Sequence, residues 1–148
     1  MSVEPGWHPL VVHFPIALAL TAGLLLAAAK WVRSESLAAT LATTGTWNLC
    51  MGAVAALFAL ATGLAAVLDL HVGAEAHASI GTHVKWAMFT SLALILTAVW
   101  RGAGNAQQSR PTGFFLVVLT LTCMALAVVG YHGAQNVYRY GIGVERAN

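Results

Sequence analysis

This sequence is short of charge. Of 148 residues only 7 are Lys or Arg and 5 are Asp or Glu, and the basic ones form no run. A water-soluble domain of this size needs far more charge to cover its surface, so lipid is the expected solvent. A net charge of +2 without a basic cluster excludes nucleic acid as a partner. Cysteine is scarcer still, at two residues. Cys50 and Cys123 stand far apart in apolar runs, so there is no redox pair, no zinc spacing and no C-x-x-C-H for covalent haem attachment. Both read as small buried hydrophobes. Lys and Arg are missing from the first eight positions, which hold Glu4 instead, so a cleavable signal peptide is not expected. Ser79 is the one hydroxyl near the acids and histidines, and no G-x-S-x-G elbow surrounds it. Catalysis by the chain alone is therefore not expected.

Long apolar runs are what the chain does have. A membrane span takes about 20 apolar residues, and four stretches meet that need, at about 9–32, 47–70, 84–100 and 112–131. In lipid only a helix satisfies its own backbone groups one segment at a time. The expected fold is an all-α integral membrane protein, a single four-helix transmembrane bundle over residues 1–148. The connections are polar: Arg33, Ser34, Glu35 and Ser36 open the first, a small-residue, His-rich stretch at 71–82 makes the second, and 101–111 makes the third.

Charge also orients the bundle. One side carries Lys30, Arg33, Arg101 and Arg110 against Glu35 alone. The other carries Lys85, Arg139 and Arg146 against Glu4, Asp69, Glu75 and Glu145. The positive-inside rule makes the first side cytoplasmic and puts both termini on the outer, periplasmic side. Tryptophan marks the same boundaries, with Trp7 and Trp86 at the outer edge and Trp31, Trp47 and Trp100 at the inner one.

On this topology all six histidines fall at the outer face: His8 and His13 at the start of the first helix, His71 and His77 in the second loop, His83 opening the third helix and His132 closing the fourth. Histidine tolerates the headgroup region as other amphipathic side chains do, which is a sufficient reading for His71 and His77. His8 precedes Pro9, so a role in starting the helix competes with ligation there. His13 lies roughly 6 Å inside the apolar run. A polar group at that depth is expected to face the bundle interior and mark function, with Pro15 bending the helix beside it. Neutral imidazole ligates metal ions and haem iron. His8 and His13 are about 140° apart around a helix, so ligands from different helices are more natural, and His13 with His83 is the best pair. Asp69 is placed either to orient a ligating imidazole or, more plainly, to sit solvated at the interface or beside Lys85.

The segment His8-Pro9-Leu10-Val11-Val12-His13-Phe14-Pro15-Ile16 resembles the H-P-L-x-V-H-F-P-I opening of a bacterial membrane family, domain of unknown function 2231. The segments 63–69 and 137–144 are similar to the end of that family's second helix and to its V-Y-x-x-G-x-G-V close, with Tyr140 where relatives often carry His. The resemblance implies a four-helix membrane domain, in a bacterial inner (plasma) membrane. Fusion of some relatives to c-type cytochrome domains implies electron transfer by association only.

The leading expectation is a small haem b cytochrome or electron-transfer subunit, with His13 and His83 as axial ligands, His8 and His132 as further cofactor ligands and Asp69 behind them. Its expected partners are the bilayer and either a periplasmic cytochrome c or a larger respiratory complex, with self-association into a homo-oligomer left open; the small-residue stripe of the second helix leaves room for a macrocycle and equally lets helices approach closely. Two alternatives stand beside it: a non-haem transition-metal site, and a cofactor-free accessory subunit of a larger membrane complex.

Overall fold

Apolar runs with few charges form helices here, and the computed structural model describes residues 7–68, 70, 72–103 and 109–144 of them. The elements are α1 (Trp7–Val11), α2 (His13–Trp31), α3 (Glu35–Leu68), α4 (Ala74–Gly102) and α5 (Gly113–Tyr140), with no strand among the described residues. α1 and α2 make one span, Trp7–Trp31. With α3, α4 and α5 that gives four helices long and apolar enough to cross a membrane. The break at Val12 is slight (φ −62°, ψ −22°). Pro15 explains it, because it brings no N–H to the Val11 carbonyl one turn back.

α2 packs on α3 and α5, and α4 packs on the same two, so α2 and α4 lie across one diagonal of a four-helix bundle and α3 and α5 across the other. Short connections make sequential helices antiparallel. The interior is built from small residues and a few leucines. Leu26, Leu49, Leu94 and Leu119 are fully buried among Ala19, Ala22, Ala53, Ala56 and Ala98. Large side chains such as Leu24, Phe58, Val99 and Leu121 point outward, as lipid-facing residues do. Lipid tails offer no hydrophobic drive between helices, so close backbone approach has to supply the packing. Gly45 shows how close: a Cβ there would stand 2.8 Å from Leu26 Cγ.

Three helices are longer than their apolar runs. α3 begins at Glu35 rather than near 47, because the stretch rich in Ala and Leu from 37 to 46 is helical by propensity although its threonines lower its hydropathy. Ser34 caps it, its hydroxyl accepting from Leu37 N at 3.3 Å, and Glu35 suits the positive end of the helix dipole. Trp47 therefore lies inside a helix instead of opening one. It remains level with Trp100, because its neighbour Thr46 accepts a hydrogen bond from Arg101 Nε at 3.1 Å. α4 starts at Ala74, so His77 is helical and exposed, not in a loop. α5 continues past His132 to Tyr140, where Gly141 turns left-handed (φ 64°) and its N–H closes on Val137 O at 2.9 Å.

The end opposite the histidines is tied by two arginines. Arg110 Nη1 donates to the Ala29, Lys30 and Val32 carbonyls at 2.9, 3.2 and 2.7 Å, which finishes α2, while Nη2 meets Glu35 Oε1 at 2.8 Å. Arg101 is 5% exposed, lies over the Phe115 ring and donates to Ser109 O. Gly45→Ala is expected to cost about 1–3 kcal/mol by overpacking against Leu26, more than the roughly 1 kcal/mol of helix propensity it gains. Gly130→Ala, where a Cβ meets nothing within 4 Å, gains propensity alone. Thermal unfolding in one detergent separates them: the first variant melts lower than the parent and the second does not.

Candidate functional site

The five described histidines lie toward one end of the bundle, where α1 and α4 begin and α5 ends. Two of them are held in the same way. His8 Nδ1 lies 3.0 Å from the Ala59 carbonyl and 3.3 Å from Thr62 Oγ1 on α3. His83 Nδ1 lies 3.2 Å from the Val129 carbonyl on α5. A carbonyl only accepts, so in each ring Nδ1 carries the proton and donates it. The neutral ring then keeps its lone pair on Nε2, and neither Nε2 has a hydrogen-bond partner among the described residues.

Each ring also rests on a glycine one turn beyond its carbonyl. A Cβ at Gly63 would be 2.8 Å from His8 Cε1 and 3.1 Å from Nδ1; a Cβ at Gly133 would be 3.3 Å from His83 Cε1. The pairs Ala59 with Gly63 and Val129 with Gly133 thus form one device used twice, once in each half of the bundle. Each carbonyl fixes a ring's tilt, and each missing Cβ lets the ring approach the helix. Both imidazoles are half-buried. His8 and His132 each lie within electrostatic range of His83, but among the described residues no three such side chains gather closely enough to hold a metal ion.

His13 does not join them. Its side chain is exposed and makes no hydrogen bond among the described residues, contrary to the expectation that it turns into the bundle. The reason is angular. Five residues separate His8 from His13, so when His8 faces α3 its neighbour swings about 140° away. Depth in the apolar run indicates how far a side chain lies along the helix, not which way it points. His132 is half-buried on α5 with its ring edge-on to Tyr131. Asp69 and His71 lie outside the described residues. Gly133 went unnoticed in the sequence because its partner is fifty residues away; the adjacency of Gly133 to His132 was the available signal.

Gly63→Ala is expected to push the His8 ring off Ala59. Nitrogen NMR of the imidazoles in ligand-free protein reads this directly: His8 of the parent is expected to show a protonated Nδ1 and a bare Nε2, and the variant to lose that fixed tautomer while His83 keeps it.

Family comparison agrees with this architecture. The model of a family described as a predicted membrane protein (DUF2231) matches residues 5–146. No curated protein and no solved structure matches the chain. With four helices suited to a bilayer and a match over nearly its whole length, the chain is a multi-pass membrane protein and belongs to the DUF2231 family.

Proposed function

We propose that the protein is a small electron-transfer subunit that holds haem b between His8 and His83. The observation that carries this reading is the hydrogen bond that each of those two rings makes through Nδ1 to a helix carbonyl. Histidines that ligate metal commonly donate their other ring N–H to a carbonyl or carboxylate, which fixes the tautomer and aims the free nitrogen. Here the donation goes to Ala59 and Val129, leaving on different helices two Nε2 atoms without a hydrogen-bond partner among the described residues.

The donor set favours a macrocycle over a bare ion. Haem brings four nitrogens of its own and asks the protein for one or two axial ligands, whereas a zinc site takes three or four. Among the described residues no three His, Cys, Asp or Glu side chains converge. The neighbouring surfaces suit a flat molecule, since α3 presents Ala56, Ala59 and Gly63 along one side and the His8 ring fills the space that a side chain at 63 would take. Thr90 stands two turns further into the bundle on the same face of α4 as His83. Its buried hydroxyl has no partner among the described residues, and a bound molecule or water would satisfy it.

Bound there, haem would supply one-electron exchange. His8 and His83 would hold it, the two carbonyls would keep the rings in register, and the surrounding alanines and leucines would exclude water. Its place beside the charged end of the bundle fits exchange with a soluble cytochrome c or with a larger respiratory complex. Compared with the pairing expected from sequence, His8 takes the place of His13.

A reduced-minus-oxidised spectrum of the detergent-purified protein, with a pyridine haemochrome assay, tests this. A b-type spectrum is expected, lost in His8→Ala and in His83→Ala and retained in His13→Ala. A flat spectrum from cells supplied with haem would sink the proposal. Elemental analysis would then separate the non-haem metal site from the cofactor-free accessory subunit.

A further inference from the structure

We infer that the outer half of the bundle binds a buried water molecule that bridges the Val11 carbonyl of α1 to the Thr90 hydroxyl of α4. Two groups on different helices carry this, an acceptor and a donor. Pro15 has no N–H to give, so the Val11 carbonyl one turn back lacks its helical partner. Pro15 is buried in the bundle, and the carbonyl it leaves open lies on its own ring's side of the helix.

The donor is Thr90. It is 1% exposed, and its hydroxyl meets no partner among the described residues. Other helical threonines behave differently: Thr46, Thr62, Thr82, Thr97 and Thr122 each return the hydroxyl to the carbonyl four residues back. In hydrocarbon a polar group left open is costly, and ordered water is one of the means by which a proline is accommodated in a membrane helix.

Helix register puts the two groups at one depth. Between α3 and α4, Arg101 donates to Thr46 and Gly102 lies against Cys50. Antiparallel helices rise equally per residue, so stepping outward from those two pairs brings Thr90 level with Leu57 and with Thr62, around Ala59. Between α2 and α3, Gly52 lies against Leu18, and the same stepping brings Val11 level with Ala59. The span that carries Val11 lies diagonally across the bundle from α4. Neighbouring helices stand about 8–10 Å apart; a diagonal pair stands farther, beyond the direct reach of a threonine hydroxyl to a carbonyl. Ala56 and Ala59 are the buried residues of α3 at this level, and side chains that small leave room for water. The water accepts from the Thr90 hydroxyl and donates to the Val11 carbonyl, the two polar partners that such a site requires. It uses neither histidine Nε2, so it forms with or without a cofactor beside it.

The test uses the full chain purified in one detergent without haem, with its threonine methyls labelled for NMR. The Thr90 methyl is expected to exchange magnetisation with water, while that of Thr122, also buried but bonded to the Val118 carbonyl, does not. Thr90→Val keeps the shape and removes the donor, and is expected to lower the melting temperature by roughly 3 °C, the scale of one hydrogen bond in a chain of this length. Thr90→Ser keeps the hydroxyl and is expected to melt with the parent. Pro15→Ala returns an N–H to Val11, so Thr90→Val made in that background is expected to cost nothing. A melting temperature raised by Thr90→Val in the parent would overturn the inference, because a hydroxyl that is simply unpaired is better removed. Equal losses in both backgrounds would overturn it by showing that the two groups share no partner. A water signal missing at Thr90, with Thr90→Val costing stability only once haem is added, would overturn it in favour of the cofactor as the partner.

Discussion

In hydrocarbon no water completes a hydrogen bond that the chain leaves open, and most of the polar contacts here follow from that constraint. The buried threonines Thr46, Thr97 and Thr122 each return their hydroxyl to the carbonyl four residues back, at 2.7, 2.7 and 2.9 Å. Arg110 gathers the carbonyls that α2 leaves unpaired at its end, and Arg101 reaches a threonine and a loop carbonyl instead of standing free. His8 and His83 obey the same rule by giving a proton to helix carbonyls that lie within reach. The resulting order of the two rings needs no further cause, and it leaves their other nitrogens unshared.

Packing answers the same solvent in another way. Because lipid does not drive helices together, this bundle relies on glycine and alanine to bring backbones close. Gly45 and Gly52 do so at the α2–α3 contact, where a Cβ would meet Leu26 and Leu18. Gly63 and Gly133 use the same absence of a side chain for rings rather than for backbone. One residue type thereby serves cohesion in the middle of the bundle and placement of imidazoles at its end.

The spans were legible in the sequence because hydropathy reports them directly, and the family resemblance rested on motifs that run through the whole chain. The extra turns at 35–46, 74–83 and 132–140 were not, since they are helical through alanine content, capping by Ser34 and the stop at Gly141 rather than through apolarity. Within the site, the sequence put the histidines at one end but misjudged direction at His13, whose exposure depends on how α1 docks on α3. The contacts of His83 with Val129 and of Ser79 with Asn136 depend on the register of α4 against α5. No local pattern encodes that register; it emerges from packing.

The arginine anchorage also sets how the bundle can deform. Arg110 ties the end of α2 to the start of α3 and to the base of α5, so any tilt of α2 would have its fixed point there. The span Trp7–Trp31 is a lever of about 37 Å at 1.5 Å per residue, and a tilt of about 3° at the pivot moves its far tip by roughly 2 Å. His8 and His83 sit near the tips, where the smallest angular strain yields the largest change of gap.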